Sequence, residues 1–412
     1  MHSRVTLALL LAGIARTAGA ADPEPRWRTL NRDARAAIQA NDYTKLRALL
    51  LELKPLLPGN VRIAYNLAVA EAKLGNASGA VAALRRVARM GLIFDLAADD
   101  DFSALRDSAE FRAVLKQMDE NRKPVMHSAE AFALGDADLI PEDIAFDPKT
   151  GRYLISSVRT NRVVTSDGKL FARTPMCAFA LRVDAARRIL WVSTGGWNVG
   201  ESFTVADKDK TALLAFDLDS GELKQRIDSP VPGLFGDMTI SHGGDLYVSE
   251  GTYGAVFRLP AGRTALERLD TPGEFASPQT PVLSTDEKVL YVPDYVRGIA
   301  AMDLKTRAIE WLQPADDIAL SGIDGLYLHR GSFIAVQNGT TPGRVIRFSA
   351  DLKKQEVLEA NWDGLGEPTH GTIVGNDFLF IANGGWPEYD REGKKKAGSA
   401  PVRSAVRKLT LR

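Results

Sequence analysis

The sequence has almost no cysteine: Cys177 is the only one in 412 residues. No disulfide can close within the chain, so the fold must rest on its buried core. There is no excess of either charge, since 52 Lys and Arg balance 52 Asp and Glu. A basic face for nucleic acid or anionic lipid is therefore not expected, and Lys394-Lys395-Lys396 reads as a solvated loop. The chain contains no His-x-x-His pair, no Walker A loop and no Gly-x-Ser-x-Gly elbow. That excludes the zinc, nucleotide and serine-nucleophile sites those motifs build. The N-terminal apolar run, Val5–Ala15, is too short to span a bilayer.

That run instead has the layout of a secretory signal. Arg4 precedes it, and Ala18-Gly19-Ala20 has the small-x-small form of a cleavage site. Residues 1–20 are expected to be removed, leaving a periplasmic or secreted protein with no stable membrane anchor. Ala21-Asp22-Pro23-Glu24-Pro25 then reads as an extended linker.

Hydrophobic residues make up 45% of the chain and charged residues 25%, a composition able to bury a core, and the length suits two domains. Residues 22–124 read as a small α-helical domain. Its predicted helices are Trp27–Ala40, Tyr43–Leu53, Val61–Leu74 and Gly79–Met90, with stops at Gly75-Asn76 and Gly91. The Val61–Leu74 and Gly79–Met90 pair resembles a tetratricopeptide repeat, carried by Leu67-Ala68, Ala80 and Leu84. A protein partner docked on these helices and a plain helical cap are both open readings.

After Pro124 the pattern changes to period two. One unit, an apolar strand, a polar turn and a second apolar strand, recurs six times. The copies are Ile144–Ser157, Phe179–Thr194, Met238–Glu250, Pro281–Asp294, Gly325–Asn338 and Thr372–Asn383. Ser156, Ser193, Ser249, Pro293, Gln337 and Ala382 are equivalent in them. Most intervals are near the roughly 40–45 residues of a four-stranded blade. Residues 127–412 are therefore expected to form a six-bladed β-propeller, the fold being mainly β, with residues 127–136 pairing into the last blade to close the ring.

In such a hairpin the start of the first strand and the end of the second share one end. One face of the propeller then gathers Glu142, Cys177, Asp237, Gln279, Asp324 and His370 from first strands. It also gathers Ser157, Glu250, Asp294, Asn338 and Asn383 from second strands. Carboxylates and amide oxygens converging on a channel suit a hard divalent cation, Ca²⁺ above all. Plainer roles exist for each: a strand-entry cap for Glu142, a turn for Asp324-Gly325, a hydrogen-bonded core residue for His370. Asp147, in Asp-Pro-Lys-Thr-Gly, reads as a hairpin turn on the opposite face. Trp197 and Trp386 would stack on substrate or pack between blades, and Asn198, Gly200 and Glu201 lie in an insertion placed to act as a lid.

The pieces Pro141-Glu142-Asp143-Ile144-Ala145-Phe146-Asp147, Gly236-Asp237-Met238-Thr239, Ser277-Pro278-Gln279, Gly322-Ile323-Asp324-Gly325-Leu326 and Gln337-Asn338-Gly339 resemble the SMP-30/gluconolactonase family and the wider strictosidine-synthase-like propellers. The resemblance implies one divalent cation in the channel, held by Glu142, Asp237, Gln279 and Asp324, with Asp324 also the acid/base group. Where the family has two Asn ligands, this chain has Asp237 and Gln279. The activity implied is hydrolysis of a lactone or similar small ester, with His370, Asn338, Asn383, Asp294, Glu250 and Trp197 around the substrate. The alternative is a non-catalytic binding propeller with a helical docking domain.

Overall fold

The computed structural model describes residues 24–135, 138–399 and 404–412. The expected secretory signal at residues 1–20 lies outside them. No helix among the described residues is long and apolar enough to cross a membrane.

Five α-helices come first: α1 (Arg26–Gln39), α2 (Tyr43–Leu53), α3 (Val61–Lys73), α4 (Ala77–Arg89) and α5 (Ala109–Asn121). Short polar side chains start four of them. Asp42, Asn60, Asn76 and Ser108 each accept a hydrogen bond from the backbone N–H three residues on, which satisfies an otherwise orphaned donor. This explains why α4 begins at Ala77 and not at Gly79: Gly79 is the residue whose N–H Asn76 caps. The tight crossing of α3 and α4 is made by Ala68, Ala80 and Leu84, all fully buried.

The remainder is a six-bladed propeller of antiparallel sheets. The innermost strands, in blade order, are Pro141–Asp147, Cys177–Asp184, Phe235–Ile240, Val282–Leu283, Gly325–His329 and Gly371–Val374. The second strands end at Ser157, Gly195, Glu250, Asp294, Gln337 and Ile381. All six hairpins expected from the repeat are present. Ala129–Ala133 forms the outer strand of blade six by pairing with Ala405–Thr410, so the two ends of the ring close on each other. Val125–Met126 adds a fifth strand to blade five.

Bulges mark the inner strands of blades one, two and three at the end where those strands begin. The register slips between Pro141 and Ile144, between Ala178 and Leu181, and between Phe235 and Asp237. An extra residue at each place re-aims the side chains around it. Two equivalent serines satisfy the freed backbone: Asp143 N donates to Ser156 Oγ, and Ala180 N donates to Ser193 Oγ, each at 2.9 Å.

The helices sit against blades four and five, at the face where the inner strands begin. Asn60 Nδ2 donates to Val296 O at 2.7 Å, and Leu320 N donates to Gly59 O at 3.0 Å. Gly59 has φ +69°, and a Cβ there would stand 2.8 Å from Leu320 N, so only glycine permits this approach. The fully buried Arg344 of blade five reaches back to Met90 O at 2.7 Å.

Candidate functional site

The bulge in blade one separates two neighbouring carboxylates. Asp143 turns into the barrel wall, where Oδ2 accepts from Leu181 N at 2.9 Å and from Arg182 Nη1 at 2.6 Å. Glu142 turns to the channel mouth, where Oε2 accepts from Trp386 Nε1 at 2.7 Å. Trp386 lies in the loop after the second strand of blade six. Its indole N–H thus holds a carboxylate oxygen while the ring packs against a buried cluster that includes Ile140, Val158 and Phe179 of blades one and two.

Glu142, Asp324 and His370 meet here, with one ligand-type atom from each lying within 4.8 Å of the others. Asp237 closes the group: its Oδ1 lies 2.7 Å from His370 Nε2 and accepts from Thr280 Oγ1 at 2.5 Å. His370 Nδ1 is 3.1 Å from the Glu142 carbonyl oxygen, which fixes the ring. His370 Nε2 and Asp237 Oδ1 form an ion pair when the imidazole is protonated, although the contact is poorly aligned for a hydrogen bond. Asp324 is held by Asn338, whose Nδ2 donates to Oδ2 at 2.6 Å, and Tyr295 OH donates to Asn338 Oδ1 at 2.9 Å. A Cβ on Gly339 would come within 2.5 Å of the Tyr295 ring, so that glycine leaves the room the tyrosine occupies.

The electrostatics follow from crowding in low dielectric. Burial raises the proton affinity of Glu142 and of Asp324, each further raised by neighbouring carboxylates and lowered by His370. Burial opposes protonation of His370, but Asp237, Asp324 and Glu142 together outweigh it and raise its pKa well above the ordinary value. Glu367, beside the mouth, is pushed up to about 7 by burial and by Asp324. Three carboxylates therefore share one imidazole. Adding a divalent cation would relieve the repulsion, and His370 Nε2 would join its ligands by giving up its proton. The residues present fit such an ion. The imidazole nitrogen moves the preference from Ca²⁺, which takes oxygen ligands, toward Mn²⁺ or Zn²⁺.

No protein-family model and no curated protein sequence matches the chain. Solved structures resemble it at the level of fold. Virginiamycin B lyase from Staphylococcus aureus is 15% identical over 69% of this chain and 99% of its own, with a TM-score of 0.46. The PQQ-bound aldose sugar dehydrogenase from Streptomyces coelicolor is 11% identical over 68% and 97%, at 0.48. A luciferin-regenerating enzyme is 15% identical over 70% and 95%, at 0.48. None of these likenesses bears on the chemistry of the site.

The other candidate residues lie apart from the cluster. Gln279 falls in a loop because the inner strand of blade four begins only at Val282, and its amide turns back to donate to Ser277 O and Oγ at 3.1 and 3.0 Å. Glu250 accepts from the backbone of Leu234, Thr252 and Tyr253. Asp294 accepts from that of Ala276, Ser277, Val296 and Arg297. Asn383 accepts from Gly385 N. All three staple loops one strand outward from the channel, where turn N–H groups need an acceptor. Among the expected second-strand acceptors, Asn338 is the one that reaches the cluster. Trp197 is 40% exposed on the 196–210 insertion, whose Asn198 bonds Arg391 O of the loop carrying Trp386. Cys177 is buried, and burial pushes its thiol up to about 11, so it is no nucleophile.

Sequence reasoning missed Asp143, Arg182, Thr280, Tyr295, Tyr327 and Glu367. Arg182 left a signal, a charged residue inside the apolar Phe179–Val183 strand. Beyond the Asp143–Arg182 layer the channel opens toward the opposite face as a cavity of about 280 Å³. Its walls are polar and apolar in similar measure, with Ile144, Phe146 and Val282 beside Arg182, Thr280 and Tyr327.

Proposed function

We propose that the chain is an exported hydrolase that uses one divalent cation in the propeller channel to open a lactone or similar small ester. The observation that carries this reading is the meeting of Glu142, Asp324 and His370 within 4.8 Å of one another in a buried, carboxylate-rich site. Glu142, Asp324 and His370 would hold the ion. When bound, it would polarise a carbonyl oxygen and acidify a water molecule. Asp324 is the residue placed to accept the proton of an attacking water, since Asn338 and, through it, Tyr295 fix its orientation. Its raised proton affinity also suits it to hand that proton on to the leaving alkoxide. Asp237 positions His370 and balances its charge. The resemblance to the SMP-30/gluconolactonase family supports the same assignment for Glu142 and Asp324.

A second reading, a binding propeller without chemistry, is favoured by one observation. Protonated His370, 2.7 Å from Asp237, can itself supply positive charge to the site. Elemental analysis of the purified protein, joined to a lactone and ester hydrolysis screen with and without chelator, separates the two. Turnover that stops on chelation and returns with Mn²⁺ or Zn²⁺ is expected. A metal-free protein with no turnover on any added cation would leave the binding propeller.

A further inference from the structure

Two half-buried arginines of the helical region have no counter-ion. Others there are paired, as in Arg26–Glu52, Arg32–Glu24, Arg47–Glu71 and Arg86–Asp316, or, like Arg85 and Arg89, lie exposed to water. Arg35 on α1 and Arg62 at the start of α3 have no carboxylate or hydrogen-bond partner among the described residues, and Arg35 Nε is buried and unsatisfied. Both line one recess of about 30 Å³ between α1, α2 and α3, walled mainly by apolar side chains such as Ile38, Leu50, Leu53 and Leu57, with Asn31 and Asn66 and, from the propeller, Val296. That space holds roughly two waters or one carboxylate-sized group.

The recess lies where the helices meet the channel mouth. Val296 follows Tyr295 in the chain, and the charge of Arg62 is felt at the Tyr295 phenol. From Tyr295 the path to the cluster is two hydrogen bonds: 2.9 Å to Asn338 and 2.6 Å from Asn338 to Asp324. A guanidinium withdrawn from water without a partner is costly, and desolvation depresses the proton affinity of both arginines. An oxyanion would offset that cost through charge-assisted, two-pronged hydrogen bonds.

We propose that Arg35 and Arg62 form an oxyanion subsite, so that the small molecule handled in the channel carries a carboxylate or phosphate group several bonds away from its reacting carbonyl. This names a substrate class for the hydrolase reading and rests on it for the reacting carbonyl, while the subsite itself rests on the arginines alone. The helical region thereby contributes to substrate recognition directly.

The test is calorimetric titration of the full mature chain, chelated, at fixed ionic strength, with inorganic phosphate and separately with succinate. Saturable binding is expected, weakened about tenfold or more in Arg62→Gln and Arg35→Gln, and partly kept in Arg62→Lys. The tighter probe distinguishes phosphate from carboxylate. Arg85→Gln, which removes an exposed charge outside the recess, should bind as the wild type does. Melting curves of each variant establish that it is folded. No saturable binding of either probe, or equal binding by a folded Arg35→Gln/Arg62→Gln double variant, overturns the subsite. If the wild type turns over nothing yet binds anion in an Arg62-dependent way, the hydrolase reading falls and the subsite stands.

Discussion

Glu142 and Asp147 sit near opposite ends of one strand, the inner strand of blade one, separated by about 16 Å of extended chain. At the Asp147 end every charge is matched. Arg188 grips both carboxylate oxygens at 2.6 and 2.9 Å, and Thr150 Oγ1 and Lys149 N complete the set. The Arg188 guanidinium holds this carboxyl well below the usual carboxylate range. At the Glu142 end three carboxylates share one imidazole, and burial pushes proton affinities up. The same functional group, a carboxylate on the same strand, stabilises the fold at one end and holds unspent charge at the other. What decides between them is the number of counter-charges within reach.

The largest effect expected from this contrast is on stability. Asp147→Ala leaves Arg188 with Asp219 alone and frees Lys149 N and Thr150 Oγ1, and should cost about 2–3 kcal/mol. Urea unfolding measures that loss, while cation binding at the other end should be untouched. An Asp147→Ala protein that unfolds like wild type would break the comparison.

Asp324→Asn should behave in the opposite way. It removes one of the crowded carboxylates, so the melting temperature should hold or rise. Turnover of any substrate found in the hydrolysis screen should fall by about a hundredfold or more.

The two ends also differ in the sign of their pH dependence. Asp147 has a depressed pKa in the folded state. Its contribution is present above its unfolded value of about 3.9 and is lost as pH falls through the folded value. Glu142, Asp324 and His370 have raised pKa values. Their contributions are present below the unfolded values, about 4 for the carboxylates and about 6.5 for the imidazole, and are lost as pH rises through the folded ones. The chelated protein should therefore lose about 1–2 kcal/mol between pH 5 and 8, and Glu142→Gln should reduce that slope. Urea midpoints across this range give the answer, and a slope of the opposite sign would mean that the cluster is already neutralised.

The smallest effect belongs to the seam. Arg344→Met strips the partners from Met90 O and Gln337 Oε1 and should cost about 1–2 kcal/mol. Faster hydrogen exchange in α4 and α5, with the propeller strands unchanged, is the expected signature.

The ring was readable because the repeat is local: each hairpin alternates apolar residues over a few positions, and the spacing shows how many there are. Glu142, Asp237, Asp324 and His370 were traceable because repeat register alone places them at one end of the channel. The orientation of their side chains was not readable. The bulge that turns Glu142 and Asp143 to different sides depends on an inter-strand register slip that no single strand displays. The late start of the inner strand of blade four, which strands Gln279 in a loop, is a tertiary outcome in the same way. Glu250, Asp294 and Asn383 misled because loop-stapling acceptors and site acceptors are the same residue types. Tyr295 and Glu367 gave no signal, since they flank the hairpins in sequence and reach the mouth only through the closed ring. Nothing in the sequence sets Arg35 and Arg62 apart from the other arginines of the helices, because their partial burial arises only where the helices pack.

Whether the channel cluster takes up a cation decides between the hydrolase and the binding propeller. Calorimetric titration of the chelated protein with Mn²⁺, Zn²⁺ and Ca²⁺, in the wild type and in Glu142→Gln and His370→Gln, tests this most directly. One site is expected in the wild type, with Mn²⁺ or Zn²⁺ bound more tightly than Ca²⁺, and loss of that site in both variants. A wild-type protein that binds none of the three, or variants that bind them unchanged, would contradict this expectation.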